Sequence, residues 1–194
     1  MSQVFPVKTV VLPKDLVDVE NGKLPNKLLR KTKPYGEAHW LADQAWRSMV
    51  AAAHKDGFML THVGAYRTYR EQLTMFKHRY TLVKASRNIS RTFKNKVWWL
   101  KDGVAPSSSP GQSNHGWGLA YDAAVQVGKQ VLPITSDPDG RGSIKSGLAW
   151  LLLNADRFGF SWEVRDGAQA EAWHIRYYCG DTVPEAVEKL MLRK

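Results

Sequence analysis

Between Gly36 and Asp56 apolar residues recur at three- and four-residue spacing, with Leu41, Ala45, Met49 and Ala52 along one row and Ala42, Trp46, Val50 and Ala53 along the next. That stripe predicts an amphipathic helix, and Gly57 is placed to end it. Phe58 to Tyr66 is short, rich in β-branched and aromatic residues, and predicts a strand. A second helix is expected over Arg70 to Val83. From Ser86 to Gln112 the periodicity is weak and closes on Pro106-Ser107-Ser108-Ser109-Pro110-Gly111. This stretch reads as a long irregular loop of the kind that often acts as a lid. Its Trp98-Trp99-Leu100 suits a groove cover and simple packing equally.

Leu119 to Val127 predicts another strand, followed by a turn at Gly128 and a polar loop through Asp137-Pro138-Asp139-Gly140. Ser146 to Phe158 reads as helix, stopped by Gly159. Phe160 to Val164 and Trp173 to Tyr178 read as strands around a turn at Asp166-Gly167. Thr182-Val183-Pro184-Glu185 has the form of a capping box opening a last helix to Leu192. Helices and strands are mixed without regular βαβ alternation, so the expected class is α+β, a small antiparallel sheet with helices packed on it. Residues 1–35, punctuated by Pro6, Pro13, Pro25 and Pro34, read as an extended N-terminal arm, and residues 36–194 as one domain.

The 194 residues suffice for one domain with a sizeable core, and the 43% hydrophobic content argues against disorder. Cys179 is the only cysteine, which excludes a disulfide within the chain and any multi-thiolate metal site. Met1-Ser2-Gln3-Val4-Phe5-Pro6 lacks the basic start and apolar stretch of a signal peptide, and the longest purely apolar run, Leu148 to Leu153, cannot span a bilayer. Synthesis in the cytoplasm without membrane insertion is therefore expected. The formal charge of +10 is unevenly placed: Arg67 to Lys101 holds ten Lys or Arg against the single acid Glu71. That stretch reads either as a solvated face or as a patch that draws the protein to a polyanion, nucleic acid or an anionic wall polymer.

Two histidines and one carboxylate can hold a divalent metal and leave a coordination position open, the parts of a zinc hydrolase. Ser113-Asn114-His115-Gly116-Trp117-Gly118-Leu119-Ala120-Tyr121-Asp122 and Glu171-Ala172-Trp173-His174 supply them. His115 and Asp122 are seven residues apart and would face opposite sides of one strand, so they converge only if the backbone turns at Gly116 and Gly118. Ser113 either meets a substrate oxygen or caps that turn. Glu171 and His174 share a face if helical, whereas the aromatic and branched neighbours Trp173, Ile175, Tyr177 and Tyr178 favour a strand with Glu171 reaching over from its entrance. Singly, a His-Gly pair or a Glu-x-x-His is common; together they supply ligands, an open site and a candidate base.

The pattern Ser-x-His-x-x-Gly-x-Ala-x-Asp followed by Glu-x-Trp-His resembles the zinc D-alanyl-D-alanine carboxypeptidases, within the wider hedgehog and D-Ala-D-Ala-type metallopeptidases. Ser113, His115, Gly118, Ala120 and Asp122 match the first motif at every fixed position; Glu171, Trp173 and His174 match the second. Ala65-Tyr66-Arg67-Thr68-Tyr69-Arg70-Glu71-Gln72 is similar to that family's tyrosine-arginine-serine segment followed by glutamine, with Thr68 for serine and Ala65 for a frequent glycine. Trp150 to Ala155, leading to Phe158-Gly159-Phe160, adds to a likeness over roughly residues 36 to 180. Tyr121 stands where a smaller aliphatic is common, a change that would alter the groove and not the metal.

The resemblance implies that His115, Asp122 and His174 bind Zn2+, that Glu171 is the general base, and that Arg67 binds substrate or stabilises the oxyanion. Ser113 and Gln72 become weaker candidates for substrate contacts. It also implies the substrate, the stem peptides of bacterial peptidoglycan. Small size, absence of a signal and basic charge together look like a bacteriophage endolysin that reaches the cell wall after release, with electrostatic contact to anionic wall polymers; a bacterial carboxypeptidase is the nearer rival. The other classes are a non-catalytic, zinc-stabilised cell-wall-binding module, against which Glu171 speaks, and a basic nucleic-acid-binding protein, for which no motif is present. Which bond is cut, and the oligomeric state, are not written in the sequence.

Overall fold

The computed structural model describes residues 5–135, 142–164 and 171–192. Strands β1 (Leu29–Lys31) and β2 (Glu37–His39) form an antiparallel hairpin leading into helix α1 (Trp40–Lys55). The expected apolar stripe is buried there, through Leu41, Ala42, Ala45, Trp46, Met49 and Ala53. The helix ends where Asp56 bonds back to the Ala52 and Ala53 carbonyls and Gly57 takes φ +85°, a left-handed angle that glycine adopts without penalty. Then come β3 (Leu60–Gly64), α2 (Tyr69–Arg79), β4 (Tyr80–Thr81), β5 (Ser90–Phe93), β6 (Lys96–Leu100), β7 (Ala120–Val127), β8 (Gln130–Pro133), α3 (Gly142–Asn154), β9 (Phe160–Ser161), β10 (His174–Tyr177) and α4 (Glu185–Met191).

Three expectations need correction. Helix α2 stops at Arg79, because Tyr80 turns extended and pairs with Leu100 on β6. The stretch after it is no structureless loop: β5 and β6 form a tight hairpin whose two turn residues, Lys94 and Asn95, have φ +50° and +58°. Positive angles at both positions suit the twist of a two-residue hairpin. Finally, no capping box opens α4, since Pro184 is its N-cap and carries no side-chain cap bond. The capping box lies at α2 instead, where the Thr68 hydroxyl accepts from the Glu71 N–H and the Glu71 carboxylate accepts from the Thr68 N–H. The expected loop over 137–140 and the turn at 166–167 lie outside the described residues.

The main sheet is antiparallel and runs β3-β7-β10-β9, with β8 pairing the far end of β7. Along β7, Tyr121, Ala123 and Val125 alternate with Ala120, Asp122 and Ala124. The first set meets the helices: the Trp46 ring stacks on Tyr121 at 4.3 Å, and Gly147 of α3 comes so near Val125 that a Cβ there would sit 2.6 Å from it. The opposite face carries Asp122, half-buried between the buried Ala120 and Ala124. Tyr121 is fully buried on the helical side, so this residue shapes the core and leaves the groove alone. A second, smaller unit joins α2 to the sheet β4-β6-β5 around Phe76, Tyr80 and Leu100. Trp98 packs edge-on against Phe76 at 5.5 Å, the packing role of the two open for it.

The first residues brace both motif segments. Val7 bridges to Trp162 and Val11 to Cys179, while Phe5, Leu16, Leu24 and Leu28 are buried in the main core. Gly22 donates its N–H to the Gly116 carbonyl, and Asn21 Nδ2 donates to the Ser113 carbonyl at 2.8 Å. No helix among the described residues is long and apolar enough to cross a membrane.

Candidate metal centre

Register brings the distant motifs together. His174 on β10 lies directly opposite Asp122 on β7, and Asp122 in turn lies opposite Gly64 on β3. Cross-strand partners present side chains to one face about 5 Å apart, so Asp122 and His174 meet by sheet geometry alone. The strand reading of His174 therefore holds. Glu171 precedes the strand, in a turn closed by the His174 N–H on the Glu171 carbonyl.

His115 reaches them from a 3-10 turn, Asn114–Trp117, that Gly118 ends at φ +65°. Gly118 thus supplies the unusual dihedral, whereas Gly116 supplies room: a Cβ there would lie 2.1 Å from Asn21 Oδ1. The His115 Nδ1–H donates to the Ala65 carbonyl at 2.7 Å, which leaves its Nε2 lone pair facing Asp122.

His115 Nε2, Asp122 Oδ1 and His174 Nδ1 form one cluster, all within 4.8 Å of one another. Asp122 Oδ1 is 3.3 Å from each nitrogen. Ligands bonded to zinc at about 2.0–2.1 Å with tetrahedral angles lie about 3.3 Å apart. Two borderline nitrogens and one hard oxygen at that spacing fit a zinc ion with one position left for solvent.

The protonation states agree with that fit. Burial holds His115 below the usual histidine range, hence neutral. Burial opposes the charge on Asp122 too, but the adjoining imidazoles, in their protonated forms, outweigh it and keep the carboxyl well below the carboxylate range. His174 is buried as well, yet its bonds to Asp122 and Glu163 more than offset that and raise its pKa. A cation between Nδ1 and Asp122 would take the place of that extra proton.

The cluster opens into a cavity of about 540 Å³ between the main sheet and the smaller unit, lined also by Glu171, Arg67, Ser113, Trp173, Arg79 and Glu163. Burial raises the pKa of Glu171, with His174 pulling the other way. Arg67 is anchored by its N–H on the His115 carbonyl and by Nη1 on Gln72 Oε1 at 2.9 Å. Gln72 is 2% exposed and spends its amide on Arg67 and on the Ser108 carbonyl, so it reaches the cavity only through these two residues.

Glu163 was not foreseen. It faces the ring nitrogen of His174 that points away from the cluster, Oε1 to Nε2 at 3.4 Å. The only sequence signal was an acid inside the mostly apolar Phe160 to Val164.

Fold and site together define an antiparallel α+β protein with a two-histidine, one-aspartate candidate metal centre in a cleft. Residues 37–181 match the VanY family, D-alanyl-D-alanine carboxypeptidase, and the chain belongs to it. YodJ of Bacillus subtilis (strain 168), which carries a provisional carboxypeptidase name, is 30% identical over 178 residues, 85% of this chain and 54% of that protein. The chain thus spans about half the length of that relative. Among solved structures, a Zn(II) complex of a mutant vancomycin resistance D,D-pentapeptidase VanY superposes with a TM-score of 0.54 at 19% identity, covering 91% of this chain and 92% of that one. VanYB in complex with D-alanine-D-alanine gives 0.53 at 20%, covering 92% of each chain. The LdcB LD-carboxypeptidase gives 0.52 at 22%, covering 94% and 75%. At these identities the likeness is one of fold.

Proposed function

We propose that the protein is a zinc-dependent peptidase that cuts peptide bonds in the stem peptides of bacterial peptidoglycan, with His115, Asp122 and His174 as ligands. The observation that carries this reading is the shared cavity: donor triad, Glu171 and Arg67 all line it. A bound zinc ion supplies Lewis acidity, acidifying water to a pKa of about 7 and polarising a carbonyl. Glu171 takes the proton of the attacking water and returns it to the leaving amine. Arg67, held from two sides, faces the negative charge that develops on the carbonyl oxygen or grips a substrate carboxylate. Ser113 on the same wall offers a hydroxyl to the peptide backbone. Arg79, whose Nη1 is tied to the Pro106 carbonyl, adds a second cation to the cavity and suits a substrate rich in carboxylates.

The VanYB structure named for its D-alanine-D-alanine complex supports a terminal D-Ala-D-Ala substrate, as a carboxypeptidase or an endopeptidase. The net charge of +10 favours action at an anionic wall, as in a bacteriophage endolysin. Glu171→Gln tests the chemistry: it should keep stoichiometric zinc by atomic absorption and release fragments from purified peptidoglycan about a thousandfold more slowly. A fully active variant would remove Glu171 from the mechanism. Mass spectrometry of the fragments released by the unmutated protein identifies the bond. A protein that binds zinc and wall yet releases nothing would be a binding module instead.

A further inference from the structure

The two histidine ligands are held from behind in different ways. Behind His115 stands a neutral acceptor, the Ala65 carbonyl. Behind His174 stands a charged one, the Glu163 carboxylate, with Oε1 3.4 Å from Nε2. The other oxygen, Oε2, accepts from Asn114 Nδ2 at 3.0 Å and from Arg176 Nη1 at 3.1 Å. Arg176 is itself 6% exposed, and its Nη2 donates to the Lys8 and Trp162 carbonyls. A chain of contacts therefore runs from the N-terminal arm through Arg176 and Glu163 to the ring of His174. Asn114, the neighbour of His115, ties the same carboxylate to the other ligand's turn.

An imidazole presents one lone pair, on the nitrogen opposite its proton. A carboxylate that accepts from Nε2–H keeps the proton there, leaves Nδ1 bare toward Asp122, and makes the ring a stronger donor. We propose that Glu163 is a positioning residue for the metal, fixing His174 as the Nε2–H tautomer, and that Arg176 and Asn114 fix Glu163. This rests on the reading of the cluster as a zinc site. The role is separate from the proton transfer given to Glu171.

The test measures metal binding and not turnover. Zinc affinity of the full chain is read by competition with a chromophoric chelator, and the ligand field by the visible spectrum of the Co(II) form. Glu163→Gln, nearly isosteric, should bind zinc 10- to 100-fold more weakly and shift the Co(II) bands. Asn114→Ala should lose several-fold in affinity alone, and nothing more when combined with Glu163→Ala. Histidine nitrogen NMR of the zinc-loaded unmutated protein should show His174 protonated at Nε2, a readout that survives even if a variant fails to fold. Unchanged affinity and spectrum in Glu163→Gln, or a proton on Nδ1, would overturn the proposal while the zinc reading stands. An unmutated protein that binds neither Zn(II) nor Co(II) would overturn both.

Discussion

Gly64→Ala is the smallest change that reaches the metal centre without touching a ligand. Gly64 is the register partner of Asp122, and an added Cβ would lie 2.4 Å from Asp122 Oδ2 and 3.2 Å from its Cγ. Ordinary carbon–oxygen contact is about 3.5 Å, so carboxylate or strand must yield by about 1 Å. Zinc–ligand distances tolerate about 0.2 Å, and Asp122 Oδ1 is equidistant, at 3.3 Å, from both nitrogens. If the carboxylate yields, zinc affinity should fall at least tenfold while the metal-free fold changes by less than about 1 kcal/mol. If the strands yield, overpacking should cost the metal-free fold about 1–3 kcal/mol. Chelator competition and urea unfolding of the metal-free protein separate the two. A variant that keeps both affinity and stability would refute the inferred crowding, and with it the placement of Asp122 against β3.

His115→Ala should abolish stoichiometric zinc, and full occupancy by atomic absorption would mean the ligand assignment is wrong. Gln72→Ala removes the acceptor that aims Arg67, so kcat/KM should fall about tenfold with zinc content unchanged; an unaltered rate would detach Gln72 from the site. Acid should weaken the metal-free fold through His62, which lies fully buried against Trp46 and Tyr121 and whose pKa burial pushes down to about 4. The unfolded chain takes up this proton near pH 6.5 and the folded one only near 4, so the stabilisation is complete above 6.5 and drains as pH falls to 4, about 3 kcal/mol in all. Urea midpoints of His62→Phe should lack that part of the slope, and parallel pH profiles would contradict the assignment.

What the sequence revealed and what it hid divide along physical lines. His115, Asp122 and His174, the proposed ligands, were legible because metal ligation restricts residue type, and the glycines between the first two announced a turn. Helix α1 was legible because a buried face imposes its period. The β5–β6 hairpin was not: Lys94 and Asn95 adopt positive φ without a glycine to signal it, and the alternation in Lys96–Leu100 is broken by adjacent tryptophans. The Thr182–Glu185 spacing suits a capping box, but Pro184 becomes the N-cap there, and the box forms at Thr68. Gly64, Glu163 and the way Gln72 acts, through Arg67, were hidden for a common reason. Each acts on a functional residue through contacts that exist only once β3, α2 or the end of β9 is in place, and no local spacing encodes them.

That division bears on how the site is held. His115 and His174 come from segments 59 positions apart in the chain, yet neither relies on its own element for orientation. The ring of His115 is fixed by the carbonyl of Ala65 beyond β3, and its turn by Asn21 and Gly22 from the first residues. The ring of His174 is fixed by Glu163, which Arg176 secures to Lys8 of the same leading segment. Sheet register places Asp122 between Gly64 and His174. A stretch that carries no catalytic motif therefore anchors both histidines, one through backbone hydrogen bonds and the other through a buried guanidinium. Trimming the chain to its motif-bearing portion would leave the three proposed ligands and the Ala65 and Glu163 contacts in place and remove the supports behind two of the three.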